Sequence, residues 1–460
     1  MLPTGNNWIP DTPPALRFRA EVPLFWKSSL DVPILHRGMV LVTCGISQCR
    51  VAAPVLAGID ALSGEQRLRV EVQLQHPREV SAGLPGTLEN GRILLPVYVH
   101  DTYLKVLAID LQGTVVAEDD LGTDAGRDVR RDLNICANDS GIKMFLAPLA
   151  VTGIPETYVV SWIYRQYVFR TQVRRLGRTS PNWSSNEWMH CLVDGVVVGE
   201  TSEVPDGLLR PFQERWLIGR DVRTGELQWR INAQGATFVA AGVGVFFVAN
   251  CRFRDEDAAV RDDAICDLPQ FEDEMSDEKF SALFDQLRTE RPLRSRSVVT
   301  CHSAKTGDKV WGISIPGDVA SFIAGSESFG MVLTEEDGTS RLVVGDTGGR
   351  KFKSFPFATG RKYFRWPRDE RNWLLRPDPD YWPTLLAIDG DKLVWGDDEF
   401  LVCVSATSPH VEKWRIPKPG NACRSFRPQS IDRTVSTQSI AVRPDLIAFR
   451  MGPELCCFGW

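Results

Sequence analysis

Residues 221–229 read DVRTGELQW. Thr224-Gly225 supplies the positive-φ position that a tight turn needs, and Asp221 can accept hydrogen bonds from backbone amides ahead of it. Beyond the turn, Leu227 and Trp229 alternate with Glu226, Gln228 and Arg230, which is the pattern of a half-buried strand. A second copy stands at 303–311, SAKTGDKVW, where Gly307 precedes Trp311 by the same four residues that separate Gly225 from Trp229. Fainter copies occur elsewhere. Residues 60–64 (DALSG) keep the Asp-to-Gly spacing with Leu68 in the tryptophan's place, 110–113 (DLQG) are one residue shorter, and 346–349 (DTGG) end in Phe352. Residues 404–414 (VSATSPHVEKW) keep Trp414 behind a longer turn.

The copies are spaced as a repeat. Gly64 to Gly113 is 49 residues and Gly307 to Gly348 is 41, while Gly113 to Gly225 is 112 and leaves room for two units. Gly225 to Gly307 is 82 but contains an insertion, so it holds one. A unit of about 40–50 residues made of short strands has the size of one four-stranded propeller blade. The sequence of buried strand, Asp, Thr-Gly turn, charged residue and Trp resembles the repeat of the pyrroloquinoline-quinone-type (quinoprotein-like) β-propellers, whose consensus runs L-x-A-x-D-x-x-T-G-x-x-x-W. The copies extend over nearly the whole chain, and the resemblance implies an all-β propeller.

The units are expected at 31–76, 77–122, 128–178, 186–235, 236–318, 319–358, 380–418 and 428–460 joined to 15–24. Without its lead-in and two insertions the chain offers about 47 residues per blade for eight blades and about 54 for seven, against a usual repeat of about 40–45. Eight four-stranded blades is the expectation and seven the alternative. The third is the least marked, since 158–170 (YVVSWIYRQYVFR) has strand composition without a turn signature. The alternating segment 15–23 is expected to pair with the strands near 446–450 and 455–460, so that the two chain ends close one domain, 1–460, and leave no unpaired inner edge.

Two insertions interrupt the pattern. The first, 252–296, carries eleven acidic residues and one basic one, Arg261, between 255 and 278. It then turns amphipathic: Ser276 and Asp277 can cap a helix whose Phe280, Leu283, Phe284 and Leu287 fall at i, i+3, i+4 and i+7. That face can fold back on the propeller or dock in a partner's groove. The second, 358–383, is basic and aromatic: between 361 and 376, Arg361, Lys362, Tyr363, Phe364, Arg365, Trp366, Arg368, Arg371, Trp373 and Arg376 are set against only Asp369 and Glu370. Insertions of opposite sign can pair with each other, and Arg and Trp are enriched at protein-binding hot spots.

The net charge of −6 and a pI near 5.7 give no global attraction to nucleic acid or anionic membrane. The first 35 residues lack a basic region followed by an apolar one, and the longest run of apolar and glycine residues, 238–249, has 12 members. No secretion signal or membrane span is expected. Eleven cysteines without a framework spacing fit reduced thiols in the cytoplasm. His190-Cys191, Cys301-His302 and the Cys44/Cys49 pair lack the spacing of a zinc site, and no calcium-loop motif occurs. The repeated tryptophans Trp229, Trp311 and Trp414 are read as packing between blades.

The function expected is a non-catalytic intracellular scaffold that binds protein partners through Phe280, Leu283, Phe284, Leu287, Arg361, Phe364, Arg365, Trp366, Arg368 and Trp373, with no cofactor and no metal. The resemblance suggests a bacterial setting in a multi-protein system. It also implies one alternative, a dehydrogenase using pyrroloquinoline quinone with calcium, some members of which carry an adjacent-cysteine disulfide where this chain has Cys456-Cys457. A further alternative is single-stranded nucleic-acid binding through the basic aromatic loop, by stacking and phosphate contacts.

Overall fold

A computed structural model describes residues 9–21, 33–44, 55–72, 80–99, 103–121, 142–145, 148–164, 168–202, 215–232, 236–252, 296–334, 340–349, 352–356, 384–396, 400–408, 411–417, 440–451 and 454–460. Among them every regular element is a strand, and the expected helix around 280–287 lies outside them. The strands form antiparallel meanders. Four-stranded sheets span 34–71, 188–232, 236–316, 318–356 and 384–417. A further sheet joins Ile440–Arg443, Leu446–Met451 and Glu454–Gly459 to Ala15–Glu21, in the register Ala15↔Gly459 to Glu21↔Glu454.

The units expected at 77–122 and 128–178 share one ten-stranded sheet, 80–185. Their innermost strands touch through a short parallel pair, Leu149↔Thr87. A glycine makes this possible, because a Cβ on Gly86 would lie 1.9 Å from the Pro148 carbonyl oxygen. The second half of this sheet holds the hairpin Thr157–Tyr164 and Val168–Arg175. Its fourth strand, Trp183–Ser185, lies beyond the expected boundary.

The cores lie between successive sheets, since the interior strands are apolar on both faces and consecutive residues point opposite ways. Phe246 packs with Val198, Leu217 and Trp229 of the preceding sheet, while Phe247 packs with Phe329 and Met331 of the following one. Val332 and Leu342 meet Leu393 and Val402, and Val394 and Cys403 meet Ile447 and Cys456. Cys457 and Ala448 lie against Val40, Val42 and Val55 of the 34–71 sheet, which meets Ile93 and Leu95 through Met39 and Leu41. Strands buried on both sides read as unbroken apolar runs, and Val55–Asp60 is buried at every position. Meanders stacked face to face in chain order make the architecture a β-propeller.

One expectation fails locally. Leu227 and Trp229 do not share a buried face: Trp229 is buried, and Leu227 is 52% exposed. The register of Arg215–Asp221 on Leu227–Asn232 shifts between Gly219 and Arg220, so the bulge at Gln228 breaks the alternation. The same shift recurs at Gly58/Ile59, Cys301/His302 and Cys403/Val404.

Candidate functional site

Each sheet has two unlike rims. The hairpins after the first and third strands lie on one rim, and in six places among the described residues they are tied by a backbone bond: the amides of Ala61, Leu176, Val222, Ala304, Thr347 and Ala406 donate to the carbonyls of Gly38, Glu156, Gly195, Gly244, Glu327 and Asp391. Among the two-residue first hairpins, Arg37-Gly38 (φ 45 and 74) and Asp194-Gly195 (φ 47 and 79) take the double left-handed conformation of the preferred β-hairpin turn. Asp-Gly at 194–195 is a sequence signal that the repeat reading passed over.

Neighbouring sheets are joined on this rim by a docked ring. Trp229 donates its indole N–H to Ala304 O at 2.8 Å and lies against Gly307, where a Cβ would stand 2.7 Å from Trp229 Cγ. Trp311 repeats this on Thr347 O (2.9 Å) and Gly349, and Trp183 on Val222 O (2.9 Å) and Gly225. Phe18 lies against Gly64 in the same way and Leu68 against Gly113, without the polar half of the contact. The glycine of each turn therefore serves twice: its φ is positive, and its missing side chain makes room for the ring. Trp183 was not legible, because a three-residue strand gives no periodicity. Phe352 does not dock forward. It packs back on Trp311, at 5.4 Å between centroids.

Between the two halves of the 80–185 sheet a polar contact takes the ring's place. Buried Asp119 accepts from Tyr158 Oη at 2.6 Å and from the Gly177 amide at 2.8 Å. Burial and the adjacent Asp119 charge hold the Tyr158 phenol well above its ordinary pKa, so it stays a donor. Arg174, 2% exposed, completes the group through Gln172 and the carbonyls of Arg178 and Thr179.

Two histidines serve the same rim. His302 donates Nδ1–H to Gly307 O (2.9 Å), leaving Nε2 to accept from Thr300 Oγ1 (2.8 Å), and His36 Nε2 lies 3.0 Å from Gly91 O. Burial holds both below the ordinary value of 6.5. The unfolded chain then binds more protons than the folded one in mildly acidic solution. Stability is full above pH 6.5 and is lost as pH falls from there through the folded values. The urea midpoint should drop between about pH 7.5 and 5.5, and His302→Gln should flatten that drop.

The opposite rim receives the insertions. Arg252 and Arg296 face each other at the ends of Val245–Arg252 and Arg296–Ser303, far from the Gly244 turn. Pro356 ends Phe352–Pro356 and Thr384 begins Thr384–Asp389, again remote from the turns at Gly349 and Gly390. Trp311 on Thr347 O and Ser328 Oγ on Gly390 O (3.4 Å) set the hairpin rims of these three sheets side by side, so their far ends also adjoin. The ten residues expected to contact a partner, Phe280, Leu283, Phe284, Leu287, Arg361, Phe364, Arg365, Trp366, Arg368 and Trp373, lie outside the described residues.

No family model matches the chain, and no curated protein matches it in sequence. Among solved structures it is similar to Sqt1 of Saccharomyces cerevisiae, at 8% identity over 96% of this chain and 99% of that one with a TM-score of 0.47. It is also similar to BamB from Moraxella catarrhalis (11% identity, 92% and 82% covered, TM-score 0.35). A europium-containing methanol dehydrogenase matches at 10% identity, 71% and 68% covered, with a TM-score of 0.37. These likenesses are distant, and the fold assignment rests on the strand pairing itself.

The donors of a quinone and calcium site can be compared with the residues present. Among the described residues no three His, Cys, Asp or Glu side chains come together where a metal ion could be held. Cys456 and Cys457 stand as buried thiols on opposite faces of their strand, one in each of two cores. Burial pushes the Cys457 thiol up to about 12, as it does those of Cys191 and Cys403. The described residues contain no helix long and apolar enough to cross a membrane.

Proposed function

We propose that the chain is a non-catalytic cytoplasmic scaffold, an eight-bladed ring closed by its N-terminal strand, that binds protein partners through the rim carrying both insertions. The observation that carries this reading is the convergence of Arg252, Arg296, Pro356 and Thr384 on the far ends of three successive sheets, while the other rim is tied by backbone bonds. An acidic and a basic aromatic segment then emerge side by side, which gives a partner both charge complementarity and stacking surface. Eight strand groups support the blade number, counting the ten-stranded sheet as two. Packing of Cys457 and Ala448 on Val40 and Val42 supports closure.

The test compares the full chain with variants lacking 253–295 or 357–383 as bait in the native host. Either deletion should leave the melting temperature within a few degrees, because no described core residue is removed. It should also lose a specific co-purifying protein by at least about tenfold. A partner retained at full yield by both variants would end this reading.

A further inference from the structure

We propose that the seam between the 384–417 sheet and the 440–459 sheet is a peptide-binding groove, filled in cis by residues 9–12. At three other seams an outer-strand indole docks on a hairpin of the next sheet. At the seam there is no such hairpin, since Glu454–Gly459 and its outer neighbour Ala15–Glu21 come from opposite parts of the chain. A separate extended segment takes its place.

The segment is held through its backbone. Trp414, whose counterparts donate to hairpin carbonyls, donates to Pro10 O at 3.0 Å, and Trp460 donates to Thr12 O at 2.8 Å. The Ile9 amide donates to Oδ2 of buried Asp389 at 2.9 Å, and the Ile9 carbonyl accepts from Lys392 Nζ. Side chains add specificity. Ile9 is wholly buried with Val394, Leu401, Val442 and Ile447, and the Asp11 carboxylate lies 3.5 Å from Lys392 and 3.7 Å from Lys413. Pro10 has no N–H to leave unpaired and biases Ile9 to an extended backbone, which lowers the cost of ordering the segment.

The ligand class is therefore an extended peptide with an aliphatic residue, a proline and an acid in succession, read by one carboxylate, two lysines and two indoles. Only the link through Pro13 and Pro14 makes the bound copy the chain's own, so the same sequence in trans should compete for the groove. The inference stands on the seam contacts and is independent of what the opposite rim binds.

A fluorescein-labelled peptide of residues 5–14, GNNWIPDTPP, is titrated into the full chain and its Ile9→Asp variant and followed by anisotropy. The variant's own segment competes poorly, so it should bind the peptide at least about tenfold tighter than the wild-type chain. The peptide carrying the same change should bind neither, and Lys392→Met in the variant should weaken binding. Ile9→Ala, a smaller perturbation, should give the same order if Ile9→Asp does not fold. Peptide binding to neither folded chain, or equally to both, overturns the proposal.

Discussion

Trp229→Ala is expected to lower the free energy of unfolding by about 3–5 kcal/mol, the usual cost of truncating a buried aromatic to alanine. Three losses combine. The indole is buried between two sheets and stacks on Phe246 at 5.0 Å and 6° between planes. Its N–H satisfies Ala304 O in the next sheet, and its ring fills the space left open by Gly307. Trp229→Phe keeps the ring and gives up the hydrogen bond, so it should cost about 1 kcal/mol beyond the smaller packing area. Approached from the other side of the contact, Gly307→Val forces a β-branched residue to φ 74 and puts its Cβ 2.7 Å from Trp229 Cγ. Urea unfolding of the three variants gives the order. Trp229→Ala within about 1 kcal/mol of wild type would refute the docking role.

The second large effect is expected at Asp119→Ala, about 1–3 kcal/mol, for a different reason. Nothing bulky is lost. Tyr158 Oη would be left buried without its acceptor, and the Gly177 amide at the exposed turn would lose its partner. Asp119→Asn preserves shape and one acceptor, so it should cost less than half as much. Asp119→Ala combined with Tyr158→Phe should be milder than the sum of the single changes, because removing both ends of a buried hydrogen bond leaves fewer orphaned groups. An additive double variant would show that the two side chains act separately.

These two contacts show what could be read in the sequence and what could not. The Thr-Gly turns and the tryptophans after them were legible because turn chemistry is local and the spacing repeats. The partner of each ring was not, since Ala304 and Thr347 lie in the next sheet, reached through the fold and not through the pattern. Asp119 with Tyr158 and Arg174 occupies a ring's position with unrelated chemistry, so no search for aromatic residues would find it. Ile9 stood in a Pro- and Asn-rich lead-in with no periodicity, and only its contacts with the two sheets at the seam place it in a core. Of the ten residues expected to bind a partner, Phe280, Leu283, Phe284 and Leu287 rest on helical periodicity and the other six on the basic aromatic composition of the second insertion, and neither signal says what the side chains meet.

The backbone bonds between hairpins have a consequence for engineering. On that rim each turn has a length fixed by its neighbour, because one residue added at Gly225 or Gly307 would break the tie to Gly195 or Gly244 and displace the docked ring as well. A foreign epitope grafted there would disturb two sheets at once. Grafted between Arg252 and Arg296, where 43 residues already intervene, it would ask nothing of the ladder. This chain is suited to display cargo from one side only.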